Sequence, residues 1–501
     1  MKINQIKSGA IIAYITIFFN IAAGLVYTPW MVRQIGVSDY GLYSLIGAFL
    51  SYFLIDFGLG SAIARFIAKF RAEGNEERIN HMIGVTTRIY LLIDLVIVVV
   101  LIIVFFLLSN IFRELTTEEI NKLRGIYLVA GFFSIASFPF TPLDGVMIAY
   151  ERFFVLKLSN LAQKIIVIGL MVFALLLGHG LYTLILVNGL VGLGIKIYKF
   201  FYIRQNTKIR INIRFFDKIM AKELLFFSSW MFVIGIAQRL LFNIVPTILG
   251  VFSGSVQIAI FSIGLTIENY IWNFAYSLNG LFLPKVTQMI TANDNRKEVT
   301  DLMIKVGRLQ LLVVGPLITG IVILGKPFIR LWMGEAFIPS YYVVLFLALP
   351  GFITHTQEIA STLLVVVNEI KFRAIIFIIA SVLSVLIGVF LSPSLGALGS
   401  AIGVGTALTL CHVIGMNIVY SKILHLDILR FFKSVHIKML WPLLVAGGLI
   451  LLSQQYYAFD NWFAFLLSVI MFIVVYFLLM WPLVMNREEK KLILSMVHKV
   501  I

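Results

Sequence analysis

Ionisable side chains occur inside long apolar segments of this sequence. The basic ones are Arg88, Lys164 and Arg239, and the acidic ones are Asp56, Asp94, Asp144, Glu268 and Glu358. A charge at the centre of a membrane helix costs about 2.5 to 3.5 kcal/mol on the insertion scale, so such residues face a bundle interior or a water-filled cavity. They are therefore candidates for binding an ionic substrate.

The depth of each residue in the membrane, counted from the ends of its span, predicts two ion pairs among these residues. At a rise of about 1.5 Å per residue, Arg239 and Glu268 reach similar depths on neighbouring antiparallel helices, and Asp56 can reach Arg88. Each pair could be structural or could contact the substrate, and both roles are compatible if the pair breaks on binding. We assign the lining of a substrate cavity to Arg239, Glu268, Asp56, Arg88, Lys164 and Asp94.

His355 and Glu358 are three residues apart in the segment THTQEIASTLL. In a continuous helix this spacing places both side chains on one face. A histidine beside a buried carboxylate is a candidate protonation site for ion coupling, with H+ or Na+ as the coupling ion. The alternative is a hydrogen-bonded structural pair.

The elements that position these residues are predicted to be membrane helices. The chain has 501 residues, 60% of them hydrophobic and 13% charged, and its mean hydropathy is +1.00. Apolar runs of about 20 residues span a bilayer as helices. The predicted spans lie near residues 9–32, 40–64, 82–108, 125–148, 156–178, 181–203, 223–248, 256–284, 306–325, 340–367, 372–392, 396–421, 439–454 and 461–485.

Lys and Arg concentrate in the loops on the side of both predicted termini. The positive-inside rule therefore places both termini in the cytoplasm. We count Lys199 and Arg308 among these loop cations, and this topology explains the net charge of +16 without a nucleic-acid partner. The dense basic segment from Lys196 to Lys222 is a cytoplasmic anchor or, alternatively, contacts anionic head groups or a lipid-linked pyrophosphate.

The sequence contains a repeat. Its first copy consists of RQIGVSDYGLYSL, a span and IAKFRAEGNEERINHMI. Its second copy consists of TILGVFSGSVQIAIFSI, a span and VTQMITANDNRKEVTDLM. The fold class is therefore predicted as all-α integral membrane, with about 14 transmembrane helices. Two six-helix lobes are related by a pseudo-two-fold axis along the membrane normal. The predicted divisions are an N-lobe at 1–203, a basic linker at 204–222, a C-lobe at 223–421, and two extra helices with a tail at 422–501.

Several chemical classes are excluded by the same sequence. Cys411 is the single cysteine, so we expect neither an intramolecular disulfide nor a cysteine-based metal cluster. GIVILGKP has Pro327 where a phosphate loop requires Ser or Thr, which argues against an ATPase. The GxxxG at Gly399 and Gly403 predicts close helix packing. Outer loops are short, so we expect no extramembrane catalytic domain, no cofactor and no enzymatic activity.

Four motifs resemble one family. The chain is similar to the bacterial polysaccharide exporters of the Wzx type in the motifs GVSDYGLYSL, DFGLGSAIARFIAKF, LDGVMIAYERF and NGLFLPKVTQM. These belong to the multidrug, oligosaccharidyl-lipid and polysaccharide (MOP) exporter superfamily. The resemblance implies a plasma-membrane flippase that moves an undecaprenyl-pyrophosphate-linked oligosaccharide to the outer leaflet by alternating access, for O-antigen or capsule synthesis.

The resemblance also implies partners and alternatives. Expected partners are the lipid-linked oligosaccharide, membrane lipids, a polysaccharide polymerase and glycosyltransferases. Arg239, Lys164 and Arg88 are the candidate cations for the diphosphate. The alternatives are an ion-coupled multidrug or cation antiporter of the same superfamily and, as a different class, a membrane polysaccharide polymerase or ligase.

Overall fold

Long apolar stretches of this chain fold as α-helices because a helix satisfies its own backbone hydrogen bonds in lipid. The computed structural model describes residues 5–52, 58–209, 215, 217–275, 282–293, 295–454, 461–491 and 494. Within this part, eleven helical segments are long and apolar enough to cross a membrane. Other apolar helices accompany these eleven segments. The predicted all-α membrane fold of about 14 spans is confirmed.

The chain divides into two compact units, Met1–Ala259 and Ile260–Ile501. The helices of the first unit are α1 Gln5–Ile35, α2 Val37–Ser51, α3 Leu59–Ala72, α4 Glu76–Ile111, α5 Thr117–Ser137, α6 Leu143–Ala149, α7 Phe153–Leu176, α8 Leu181–Asn206, α9 Lys218–Phe242 and α10 Ile244–Phe252. Helix α11, Ser255–Ala275, begins in this unit. The sequence-based division into lobes at 203 and 223 stays a prediction.

The second unit continues from α11. Its helices are α12 Leu283–Asn293, α13 Arg296–Met333, α14 Ser340–Ala348, α15 Gly351–Thr354, α16 Glu358–Val366, α17 Ile370–Leu395, α18 Ala397–Ala407, α19 Met416–Lys422, α20 Ile428–Phe432, α21 Lys438–Ser453 and α22 Trp462–Leu483. Two π-helical segments, Leu408–Gly415 and Lys433–Ile437, join α18 to α19 and α20 to α21. The predicted thirteenth span is longer than expected because α20 and α21 form one continuous helical segment.

The sequence repeat has a local structural counterpart. Asn75 caps α4 by accepting a hydrogen bond from the Arg78 N–H at 2.9 Å. Asn295 caps α13 in the same way, accepting from the N–H groups of Lys297 and Glu298. Both caps satisfy amides that an unprotected helix start leaves open. The helices that they begin are the two longest, at 36 and 38 residues.

Glycines in the motifs allow close helix crossings. A Cβ on Gly145 of α6 would lie 2.5 Å from the Gly60 carbonyl oxygen of α3. Gly58 has a positive φ of 68° and packs against Met231 of α9. A Cβ on Gly403 would lie 2.8 Å from the Ser384 carbonyl oxygen, which confirms close packing of the GxxxG segment.

Arg308 joins α13 to the C-terminal segment. Its guanidinium makes a bidentate pair with Glu489, at 2.6 and 3.0 Å, and also donates to the carbonyl oxygens of Ser434 and Val484. Arg308 and Glu489 are 7% and 4% exposed. The prediction that Arg308 lies in a cytoplasmic loop is wrong, because these acceptors neutralise and hold its charge inside the protein.

Candidate functional site

One predicted span of the first unit is interrupted at Asn243, which separates α9 from α10. The Asn243 side-chain amide donates to the hydroxyl of Ser51, the last residue of α2, at 2.7 Å. A polar side chain within an apolar segment needs such a partner. The interruption therefore creates a polar point inside a segment that the sequence predicted to be continuous.

Arg239 lies one helical turn before this interruption. It is half-buried on α9 and close enough to Tyr52 for an electrostatic interaction. Helix α9 packs against α3 and α4 of the same unit. Asp56 lies outside the described residues, so its pairing with Arg88 stays a prediction. The structure thus places one of the predicted substrate cations beside the interruption at Asn243.

Arg88 and Asp94 lie on α4 in different environments. Arg88 is exposed, whereas Asp94 is 8% exposed. The rings of Tyr90 and Phe138 are 5.2 Å apart, and the Tyr127 hydroxyl donates to the Leu101 carbonyl. This antiparallel register directs Asp94 toward α5. Its Oδ1 has no hydrogen-bond partner among the described residues, so its carboxyl is available for a proton, a cation or a substrate donor.

Lys164 occupies the exposed side of α7. Its neighbours Ile165 and Ile166 are also exposed, at 48% and 44%. Lysine can extend its ammonium group away from apolar surroundings along its flexible stem. The structure therefore separates Lys164 from the core of the first unit, and its role toward a substrate stays a prediction.

Lys199 is a buried cation that the sequence analysis missed. It is 4% exposed on α8 and donates to Asp144 at 2.8 Å and to Asn160 at 2.9 Å. The nearby Lys196 donates to the Ser137 carbonyl at 2.9 Å. The prediction that Lys199 is a loop cation is wrong, because Asp144 on α6 compensates its charge. Asp144 itself was the available signal, as an intramembrane acid without an assigned partner.

Glu268 is buried on α11 in the second unit, with 7% exposure. Arg239 belongs to the first unit. The predicted pairing of these two residues therefore joins the units and stays a prediction. Glu268 is nevertheless enclosed by protein, as expected for a carboxylate within an apolar span.

His355 and Glu358 do not share a helical face, so that prediction is wrong. Helix α15 ends at Thr354 and α16 begins at Glu358. The chain turns there because Thr356 donates to the Ile353 carbonyl at 2.7 Å and Gln357 donates to Asn417 at 2.7 Å. Side-chain hydrogen bonds of this kind compete with helix continuation.

Each member of that pair has other neighbours. The His355 ring folds back against Gly351, where an added Cβ would be 2.7 Å from the ring. Glu358 accepts a long hydrogen bond of 3.4 Å from Thr362 and lies within electrostatic range of Arg373. Arg373 is therefore a charged neighbour of Glu358 near this break.

A polar cluster joins the first turns of α2, α5 and α11. Ser38 donates to Oε1 of Glu119 at 2.5 Å, and Ser255 also hydrogen-bonds to that oxygen. The other Glu119 oxygen accepts from the N–H of Thr116 at 2.8 Å. Lys122 pairs with Asp39 at 3.0 Å. The carboxylate of Glu119 therefore holds three chain segments together on one side of the first unit.

Comparison with known proteins adds sequence and structural relatives. The sequence profile of a family described as polysaccharide biosynthesis protein matches residues 6–290, more than half of the chain. No curated protein sequence matches the chain.

Two solved structures share this fold. The first is described as lipid II flippase MurJ in an inward closed conformation, with a TM-score of 0.72, 15% identity, and coverage of 93% of this chain and 97% of that chain. The second is an inward-facing multidrug resistance MATE family transporter of the MOP superfamily, with a TM-score of 0.64, 15% identity, and coverage of 82% and 98%. At this identity the likeness establishes the fold.

Proposed function

The chain belongs to the polysaccharide biosynthesis protein family, and from that premise we propose that it is a lipid-linked oligosaccharide flippase. The substrate is an undecaprenyl-pyrophosphate-linked oligosaccharide, moved from the inner to the outer leaflet of the bacterial plasma membrane by alternating access. The product feeds a polysaccharide polymerase, after glycosyltransferases have built the oligosaccharide on the cytoplasmic side. The family match over residues 6–290 carries this proposal.

Intramembrane charge supports a diphosphate substrate. Two phosphates that leave water need compensating cations, because the low dielectric of a protein interior makes uncompensated charge costly. Arg239, half-buried one helical turn before Asn243, is the strongest candidate for this role. Arg88 and Lys164 are exposed and complete the set of cations. Glu358 is the proposed coupling residue for H+ or Na+.

Export of surface glycan tests the proposal. Cells that lack the protein should accumulate the lipid-linked oligosaccharide in the inner leaflet and lose surface polysaccharide. Arg239→Ala should fail to restore export at matched protein levels, while Arg239→Lys should restore part of it, because the charge is kept but the guanidinium geometry is lost. Equal export by cells with and without the protein would contradict the proposal.

The second candidate is an ion-coupled drug or cation antiporter, which the likeness to a MATE transporter favours. Dye accumulation distinguishes the two functions. Altered dye efflux with normal surface glycan in cells without the protein would favour the antiporter. A polymerase or ligase would instead lengthen or transfer glycan chains as purified protein, an activity that the transporter-like fold argues against.

A further inference from the structure

A cavity of about 970 Å³ lies within the first unit, at the end that the charge pattern assigns to the cytoplasm. It is bounded by the start of α4, by α6 and by the end of α8. Polar groups on its wall come from Glu76, Asn80, Arg204, Thr207 and Lys208, and Phe200 contributes to an apolar face. Ligand pockets of this size combine an apolar surface with a few polar groups in the same way.

A narrower crevice of about 110 Å³ continues the cavity toward the membrane. The two share Ile83, Leu143, Val146 and Phe200 as lining residues. Thr86 lies in the crevice, ten residues beyond Glu76, and this separation corresponds to about 15 Å along α4. The space therefore passes from a charged rim, over an aromatic and aliphatic wall, to a hydroxyl group.

Two polar groups of this space have unused bonding capacity. Thr86 is 1% exposed, and its Oγ1 has no hydrogen-bond partner among the described residues. A buried hydroxyl without a partner costs free energy, which a bound polar group would recover. At the rim, Lys208 pairs with Glu76 at 3.2 Å, whereas Arg204 has no ion-pair partner in the part of the chain described. The rim thus carries one uncompensated positive charge.

We propose that this cavity binds an acidic sugar unit of the oligosaccharide on the cytoplasmic side and selects the glycan, an inference that rests on the proposed function. Sugar hydroxyls bond to the amide, hydroxyl and charged groups of the wall, and the C–H face of the ring packs on Phe200. The sugar carboxylate pairs with Arg204, because a guanidinium binds a carboxylate with two parallel hydrogen bonds. Thr86 donates to a hydroxyl at the deep end.

Binding of simple glycosides to the full chain in nanodiscs tests this assignment by ligand-observed NMR. The probes are methyl glucuronide, methyl glucoside and inorganic pyrophosphate. Methyl glucuronide should bind more tightly than methyl glucoside. Arg204→Ala should weaken methyl glucuronide about tenfold, the expected loss for one charge-assisted contact. Lys438→Ala, which removes an exposed cation of the second unit, outside the cavity, is the control and should bind as the unmodified chain does.

Thr86→Val separates ligand binding from folding. Because the Thr86 hydroxyl has no hydrogen-bond partner among the described residues, the variant should melt at the same or a higher temperature and yet bind methyl glucuronide more weakly. Equal binding by all variants, or binding of pyrophosphate without any sugar, would overturn the assignment. If cells without the protein lose glycan export but the variants bind sugar as the unmodified chain does, the proposed function stands and this assignment is rejected. If the variants bind sugar more weakly but cells without the protein export glycan normally, the assignment stands and the proposed function is rejected.

Discussion

The hydroxyl oxygens of Ser38 and Ser255 lie 3.1 Å apart, in corresponding turns of the two sequence repeats, and both bond to one oxygen of Glu119. A Cβ on the nearby Gly41 would lie 2.1 Å from the Ser255 carbonyl oxygen, so the two backbones are in contact. This contact joins the beginning of α2 to the beginning of α11. Ser38 and Ser255 belong to the two different lobes that the sequence predicts, so the proposed alternating access requires these helix starts to separate.

A disulfide across this contact should therefore block export reversibly. The protein has one cysteine, so Ser38→Cys and Ser255→Cys can be combined with Cys411→Ala as the only thiols. Oxidation should lower glycan export, and a reductant should restore it. Each single cysteine variant is the control and should export normally in oxidant. Full export by quantitatively cross-linked protein would show that the starts of α2 and α11 need not separate.

The close crossing of α3 and α6 at glycine predicts that alanine destabilises the protein at Gly145 but not at Gly169. Gly145→Ala should lower the melting temperature and the yield, because its methyl group would overlap the Gly60 carbonyl oxygen, 2.5 Å away. Gly169→Ala on α7 meets no atom within 4 Å and should be neutral or slightly stabilising, since alanine favours the helix. Thermal unfolding of the two purified variants checks this prediction, and equal melting temperatures would refute it.

Lys199 should contribute to stability through Asp144. Lys199→Met leaves that carboxylate without its cation and should cost about 2 kcal/mol, below the range for a fully buried pair because the Asp144 side chain is 52% exposed. Adding Asp144→Leu should recover part of the loss, since the unpaired charge is then gone. Thermal unfolding of both variants provides the comparison. A double variant less stable than Lys199→Met would contradict the pairing argument.

The sequence predicted what depends on long apolar runs and missed what depends on distant partners. The spans and the Asn75 and Asn295 helix starts follow from local composition. The break at Asn243 did not, because an averaged hydropathy window hides one amide that bonds to Ser51, 192 positions away. Lys199 was likewise predicted to be a loop cation, because its partner Asp144 is 55 positions away in the chain and only the fold places the two together.

The same reasoning applies to the candidate site. Intramembrane charge identified Arg239, Asp94 and Glu268 as residues that need protein surroundings, and the structure places each of them at least half-buried. Spacing alone paired His355 with Glu358, which holds only in a continuous helix. The hydrogen bonds of Thr356 and Gln357 end that helix, and no count of residues along the chain contains this information.

Arg308 should tolerate no single replacement, because its guanidinium serves several acceptors at once. Arg308→Met leaves Glu489 buried without a cation and should cost about 3 to 5 kcal/mol. Arg308→Lys should recover only part of this, since one ammonium group cannot reach both Glu489 oxygens and the carbonyls of Ser434 and Val484. The charge swap Arg308→Glu with Glu489→Arg should fail for the same reason. Thermal unfolding of the purified variants measures each effect.

Lys305→Met is the matched control for the Arg308 series. Lys305 pairs with Glu488 one residue from Glu489, and its hydrogen bond lowers the pKa of the Glu488 carboxyl, but both side chains are exposed. Exposed ion pairs add little to stability, so this variant should melt close to the unmodified protein. A stable charge swap, or a Lys305→Met loss as large as that of Arg308→Met, would mean that net charge rather than the enclosed geometry fixes the C-terminal segment to α13.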